Sequence, residues 1–198
     1  MKKLLTSLGM AGALALGAQP ALAQDFDAGA AAYKAGDYEA ALAEFRSLAE
    51  QDDAEAQYKL GVMYDNGQGV LQDYGEAARL YRLAAEQGYA LAQHNLGVMY
   101  DNGQGVVQDY GEAVRLYRLA AEQGHAEAQH NLGVMSAIGQ GVAQDMVRAY
   151  MWFDLAAALG NDSGRRNRDI VARSLSPEQI AEAKRLATQC KARDYQGC

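Results

Sequence analysis

Small and apolar residues recur along most of this chain at intervals of three and four positions. One stretch carries Ala56, Leu60, Gly61 and Tyr64, and a following stretch carries Ala77, Leu80, Tyr81, Ala84 and Ala85. Because such steps place side chains on one face of an α-helix, each stretch predicts an amphipathic helix. The glycine-rich segment 67–70 lies between them, so the pattern predicts a helix–loop–helix unit. We call its first helix the A helix and its second the B helix.

This unit occurs three times at a constant interval of 36 residues. The stretch LGVMYDNGQGV begins at Leu60, recurs unchanged from Leu96, and recurs from Leu132 as LGVMSAIGQGV. The complete units span 56–91, 92–127 and 128–163. A fixed period of this size predicts stacked structural repeats that share one continuous core.

The flanking segments look like degenerate copies of the unit. Segment 24–55 contains an AYxxGDYxxAL pattern, in which Gly36 is expected to end one helix and Asp37 to cap the next. Segment 164–198 is expected to form C-terminal capping helices, of which the last starts at Ser176-Pro177-Glu178-Gln179. We therefore predict that 24–198 is a single all-α domain, an α-solenoid of five stacked antiparallel helix pairs.

Two repeated features carry local predictions. Asp73 precedes a B helix with Glu76 three residues later, which predicts a capping box, and Asp109 and Glu112 repeat it. A glycine lies inside every A helix, at a cost of about 1 kcal/mol relative to alanine. We interpret these glycines as points where the backbone of a neighbouring helix approaches closely. They are Gly61, Gly97 and Gly133.

The repeated pattern A-x-x-x-L-G-x-x-Y-x-x-G-x-G-V-x-x-D-x-x-x-A-x-x-x-Y-x-x-A-A-x-x-G resembles the Sel-one-like (SLR) repeat family, a relative of the tetratricopeptide repeats. The resemblance implies a concave surface lined by A helices and roles in complex assembly, envelope functions or regulation of signalling. Some exported members are weak penicillin-binding or β-lactam-hydrolysing proteins. Those members have a cysteine pair in each repeat, which this chain lacks.

The A helices also carry a recurring row on the side opposite their small and apolar face. Every unit has a valine in the middle of this row, and solubility alone does not require a valine there. We predict that the row binds a protein or peptide partner; in the alternative interpretation the valines only pack against adjacent A helices. The predicted partner-binding residues are Tyr58, Val62, His94, Val98, His130 and Val134.

The sequence offers little support for metal, cofactor or catalytic chemistry. His94, His125 and His130 fall in adjacent repeats, but no cysteine or carboxylate completes a recognisable ligand set. We therefore predict neither a metal nor a cofactor, and interpret the histidines as polar contacts on an exposed helix face. The repeated GQG is interpreted as a turn, because no Gly-Lys-Ser/Thr follows it. No nucleophile motif surrounds Ser136.

The N-terminus has the pattern of an export signal. Lys2 and Lys3 precede an apolar run, and the small residues 21–23 form an A-x-A cleavage site. We predict a signal peptide 1–23 cleaved after Ala23, a periplasmic or secreted protein, and no stable membrane anchor; retention of the segment as an anchor is the alternative. Cleavage changes the net charge from −7 to −9, which argues against nucleic acid as a partner.

The chain has two cysteines, Cys190 and Cys198. In an oxidising compartment they are expected to form an intramolecular disulfide, while a free pair and an intermolecular link are the alternatives. Together these observations predict a non-enzymatic periplasmic or secreted scaffold, for which the family resemblance implies the role of a regulatory or envelope-assembly adaptor. Two alternatives are a cell-wall-related hydrolase, such as a weak β-lactamase, and a periplasmic inhibitor of a membrane sensor.

Overall fold

The repeated helical pattern folds as predicted into an all-α solenoid. The computed structural model describes residues 26–198, and the predicted signal segment lies outside this range. Within it the chain forms ten α-helices, a short 3-10 turn at Ala172–Ser174, and no strand. The helices are α1 (Phe26–Ala35), α2 (Tyr38–Ala49), α3 (Ala54–Asn66), α4 (Tyr74–Glu86), α5 (Ala90–Asn102), α6 (Tyr110–Ala121), α7 (Ala126–Ile138), α8 (Met146–Ala158), α9 (Asp162–Val171) and α10 (Pro177–Lys191).

The helices stack in chain order. Each A helix packs on the B helix of its own unit, and each B helix packs on the A helix of the next. The buried face of α3 includes Ala56, Leu60 and Gly61, as predicted. It also includes Met63 and the polar Gln57, whereas Tyr64 is only partly buried.

The group nearest to the glycine inside each A helix is an aromatic ring of the following B helix, and not the helix backbone that was predicted. The backbone is also close at Gly97, where a Cβ would lie 3.4 Å from the Ala113 carbonyl oxygen. A Cβ on Gly61 would lie 2.8 Å from the ring of Tyr81, and one on Gly97 would lie 2.8 Å from the ring of Tyr117. Tyr81 and Tyr117 are almost fully buried, on α4 and α6. The absent side chain is thus what allows a B-helix ring to pack directly against the A helix.

The helix starts follow the predicted caps, with one correction. Asp73 accepts a hydrogen bond from the Glu76 backbone nitrogen at 3.0 Å, but the Glu76 side chain does not complete a capping box. It binds the Arg79 guanidinium with two bonds of 2.9 and 2.6 Å. The Asp73 backbone N–H that a capping box needs already donates to the Tyr64 carbonyl oxygen at 3.0 Å, which leaves the Glu76 carboxylate free to pair with Arg79. The complete capping box predicted at Ser176 is present.

The glycine-rich loops satisfy two different backbone requirements. Gly103 ends α5 in the left-handed conformation at φ +68°, which L-residues adopt at a cost. Two residues later, a Cβ on Gly105 would overlap the carbonyl group of Tyr74 in the preceding B helix. The loop therefore fixes the distance between successive repeats, in keeping with a turn function.

Buried glutamines connect successive units. Gln57 and Gln93 are almost fully buried and donate to the carbonyl groups of Ala49 and Ala85 at 3.3 and 3.2 Å. Their own oxygens accept bonds of 2.9 and 2.8 Å from two further glutamines, each 30 residues later in the chain. These donors are Gln87 and Gln123. The bonds cross from the end of a B helix to the preceding A helix.

The C-terminal helices depart from the predicted fifth pair. α9 packs on α8, as an A helix does, but α10 also packs mainly on α8. After α10 the chain turns back through left-handed residues Asp194, Tyr195 and Gly197. A disulfide joins Cys190 and Cys198, whose Cα atoms are 5.5 Å apart. Within 26–198, no helix has the length and apolar character needed to cross a membrane.

Candidate functional site

The predicted row lies along α3, α5 and α7, and its residues are partly rather than fully exposed. Tyr58, His94 and His130 occupy equivalent positions 36 residues apart, each one helical turn before the valine of its unit. All six predicted residues are of intermediate exposure, and Val98 and Val134 touch the hydrophobic core. The row is therefore the edge of the core along the A helices.

Each ring in the row lies against the B-helix ring that covers the internal glycine. Tyr58 packs on Tyr81 with centroids 5.7 Å apart, and His94 packs on Tyr117 at 5.8 Å. In the third unit His130 packs on Phe153 at 5.6 Å. Glycine, buried ring and row residue form one layered contact in each unit, so the row is fixed by the core beneath it.

An asparagine from the next A helix holds each histidine of the row. The amide nitrogen of Asn131 lies 3.3 Å from Nε2 of His94, and that of Asn167 lies 3.0 Å from Nε2 of His130. On the other side of the His94 ring, Nδ1 lies 3.1 Å from the side-chain oxygen Oδ1 of Asn95. Since an amide nitrogen only donates and an amide oxygen only accepts, His94 fits these contacts as a neutral imidazole protonated on Nδ1.

The electrostatics of the row favour neutral groups. Burial, and then the neighbouring His125, lower the pKa of His94. Burial also lowers the pKa of His125, although the Glu127 carboxylate 3.5 Å away opposes this shift. Burial raises the pKa of Tyr58, while a hydrogen bond with Asn95 acts in the opposite direction. At neutral pH these directions favour an uncharged imidazole at His94 and an uncharged hydroxyl group at Tyr58.

The histidines are thus not simple polar contacts on an exposed face. His125 caps α7 through Nδ1, 3.3 Å from the Ala128 backbone nitrogen, and stacks on His94. No group of three histidine, cysteine or acidic residues within 26–198 is arranged to hold a metal ion. Asn131 and Asn167 were missed in the sequence analysis, although an asparagine follows the row residue by 37 positions in all three units, starting with Tyr58 and Asn95.

Comparison with known proteins gives one family. The Sel1 repeat matches residues 54–89, 90–125 and 126–161, each beginning two residues before the units read from the sequence. A comparison with curated proteins gave no significant match.

Two solved structures are similar over most of the chain. One is a protective antigen present in uropathogenic Escherichia coli strains that displays an SLR fold, with 35% identity and a TM-score of 0.74. The match covers 79% of this chain but only 34% of that protein. The other is a Sel1 repeat protein from Oxalobacter formigenes, with 30% identity, a TM-score of 0.72, and coverage of 86% and 78%. Three matched repeats on a stacked helical fold place this chain in the Sel1 repeat family.

Proposed function

We propose that this protein is a non-enzymatic scaffold that binds a protein or peptide on the face formed by α3, α5 and α7. Members of the Sel1 repeat family are generally scaffolds for protein interactions. The observation that carries the proposal is a row of partly exposed valines with rings held in place by the core and the next helix. A binding surface that is already ordered loses less conformational entropy when a partner binds. The valines are Val62, Val98 and Val134.

The test is site-specific photo-crosslinking in the native cell. A benzophenone amino acid at Val62, Val98 or Val134 should give the same crosslinked partner from all three positions. The matched controls are Arg79 and Arg115, exposed residues on the B helices of the first two units. They should give no such product. Equal crosslinking from the control positions would place the binding face elsewhere.

A purified partner then allows an affinity measurement. Val98→Asp places a charge in the middle of the row, where a desolvated contact should lose at least 10-fold in affinity. Arg115→Ala should leave the affinity within 2-fold. Because Val98 touches the core, the melting temperature of the variant has to be measured beside its affinity. Unchanged affinity in a folded Val98→Asp variant would refute this face.

We also propose that the scaffold acts in the periplasm or outside the cell after cleavage behind Ala23. The basic start, apolar run and A-x-A site support this location. Mass spectrometry of the protein isolated from its source should find Gln24 at the N-terminus. A folded, exported protein that retains Met1 would contradict the proposal.

Hydrolysis of β-lactams has little support in the surroundings of Ser136. The cavity that Ser136 lines contains arginine, tryptophan and Asp145 but neither lysine nor histidine to act as a base. Nitrocefin turnover by the purified protein should equal that of a heat-denatured control. Turnover that survives purification and is lost in Ser136→Ala would replace the scaffold proposal with an enzyme.

A further inference from the structure

The B helices form a second surface with three equivalent cavities. Each lies between two successive B helices and above the leucine of the A helix between them. The cavity volumes are about 250, 370 and 270 Å³ in chain order. We call them the first, second and third grooves; their floor leucines are Leu60, Leu96 and Leu132.

The first two grooves are electrically balanced. Two arginines and two glutamates line each of them. One pair in each groove is a bidentate ion pair, such as Arg115 with Glu112 at 2.8 and 2.6 Å. Arg82 donates to the hydroxyl group of Tyr100 at 3.1 Å. Three of the four arginines of these grooves, Arg79, Arg82 and Arg115, therefore already have partners within the fold.

The third groove has a different composition at the equivalent positions. Ser136 replaces the tyrosine, Arg148 replaces the glutamate, and Trp152 replaces a leucine. The charged residues of its lining are two arginines and one aspartate, which gives +1 where the other grooves give 0. This positive site belongs to a chain whose net charge is −7.

The arginines of the third groove retain donor capacity. No carboxylate within residues 26–198 forms an ion pair with Arg118, and no tyrosine occupies the position of Tyr100. Arg148 lies 3.7 Å from Asp145 and donates one bond of 3.2 Å to the main-chain oxygen of Cys198.

The C-terminal tail also binds a glutamate that would otherwise be expected to line the third groove. Glu122 corresponds to Glu86, which lines the second groove. In the structure the Glu122 carboxylate instead accepts a bond of 3.2 Å from the Gly197 backbone nitrogen. Glu122 is therefore bound to the tail and does not line the third groove, whereas Arg118 and Arg148 do.

We propose that the third groove binds a carboxylate of a partner polypeptide together with the apolar side chain beside it. Guanidinium groups bind carboxylates through paired N–H donors, and Arg118 and Arg148 approach the cavity from α6 and α8. Trp152 and Leu132, 3% and 2% exposed, form an apolar floor for the neighbouring side chain. A lining charge of +1 suits a monoanion, since Asp145 repels a doubly charged phosphate.

This inference rests on the proposed scaffold function and adds a second contact to it. A partner that lies on the A-helix face and also reaches the third groove binds with higher affinity, because its two linked contacts act together although each is weak alone. The groove thereby specifies partners with an acidic residue next to a leucine or aromatic residue.

Trp152 is the only tryptophan of the chain and reports directly on the groove. The probe is the peptide acetyl-Ala-Leu-Asp-Leu-Ala-amide, and its matched control carries asparagine in place of aspartate. Titration into the full chain should change tryptophan emission in a saturable manner, with a Kd on the order of 0.1–1 mM. The asparagine peptide should bind at least 5-fold more weakly, and added salt should weaken only the aspartate peptide.

Three variants locate the effect. Arg118→Gln should weaken the aspartate peptide at least 5-fold, and Ser136→Tyr, which restores the residue of the first two units, should do the same. Arg82→Gln changes the equivalent arginine of the second groove and should have no effect. Arg118 is exposed, so the melting temperature of Arg118→Gln should stay close to that of the native protein. Arg82→Gln also loses the bond to Tyr100, so its melting temperature has to be measured beside its binding.

The proposal is overturned by equal binding of the two peptides, by a linear emission change, or by equal loss in Arg118→Gln and Arg82→Gln. Its failure is distinct from that of the scaffold function. In one outcome, Val98→Asp abolishes binding of the crosslinked partner, while Arg118→Gln changes binding of neither the partner nor the peptide. That outcome supports the A-helix face and refutes the groove proposal. If the aspartate peptide binds the third groove but none of the three valines gives a crosslinked partner, the groove proposal is supported and the A-helix face is refuted.

Discussion

The imidazole rings of His94 and His125 are stacked, with centroids 4.7 Å apart and an interplanar angle of 23°. Both rings have a lowered pKa, mainly through burial, and protonation of one opposes protonation of the other. Tyr117 and Asn131 pack on the His94 side, and Glu127 is the carboxylate beside His125. The pair therefore links fold stability to pH.

The sign of this pH dependence follows from the direction of the shifts. A histidine whose pKa is lowered by folding binds protons more readily in the unfolded chain. Its contribution is fully present above the unfolded pKa of about 6.5 and is lost as pH falls through the lower folded pKa. Between pH 7.5 and 5.5 the loss is at most about 1.4 kcal/mol for each histidine. Thermal melts across this range should show a falling melting temperature.

The first unit supplies the control for this prediction. Tyr58 and Tyr89 occupy the positions of His94 and His125, and their rings also pack together, 5.2 Å apart. The double variant His94→Tyr/His125→Tyr therefore copies a pair already present in the fold. It should remove most of the melting-temperature loss between pH 7.5 and 5.5. An identical pH profile in the variant would assign the dependence to carboxylates.

The internal glycines give a prediction about packing. Gly97→Ala should be favourable by about 1 kcal/mol on helix propensity alone. The new Cβ would lie 2.8 Å from two carbons of the Tyr117 ring, which is only 1% exposed and has little room to move. We expect a net destabilisation of about 1–3 kcal/mol by urea unfolding.

A double-mutant cycle isolates the ring contact. In a Tyr117→Leu background the obstructing ring is absent, so Gly97→Ala should cost less than about 0.5 kcal/mol or be stabilising. If the cost is the same in both backgrounds, the glycine is needed for a reason other than Tyr117.

The repeat period predicted the helices well because it is a property of the chain alone. The caps at Asp73 and Ser176 depend on residues three apart in one helix, and both were predictable. The contact of His94 with Asn131 depends on how two A helices lie side by side, which no local pattern determines. For the same reason the row was predicted to face outward, whereas in the structure its rings pack on the rings of the core. The packing of α10 on α8 likewise depends on the whole stack.

The disulfide gives a prediction about the C-terminal tail. Closing so short a loop should contribute about 2–3 kcal/mol, which acts on α10 and the residues after it. Free-thiol titration of the unreduced protein should find no thiol. A reducing agent should increase amide exchange at Gly197, which donates to Glu122. The same agent should not affect a Cys190→Ala/Cys198→Ala variant, and two titratable thiols in the native protein would refute the bridge.

The last prediction concerns the buried glutamine of the third unit. Gln129 is fully buried, and its nitrogen donates to the Ala121 carbonyl oxygen at 3.2 Å. Its oxygen has no hydrogen-bond partner within the described residues. In the earlier units Gln87 and Gln123 donate to this oxygen, but the residue 36 positions after Gln123 is Leu159.

Leu159→Gln should therefore stabilise the protein. The leucine is 42% exposed, so little buried apolar surface is lost, while an unpaired buried acceptor costs about 1–3 kcal/mol. We expect a gain of about 1 kcal/mol, or about 2–4 °C in melting temperature. Leu159→Glu is the matched control, because an ionised glutamate has nearly the same shape and no proton to donate; at pH 7.5 it should bring no gain. If both variants change the melting temperature equally, the Gln129 oxygen does not receive the new bond and the effect comes only from removing an exposed leucine.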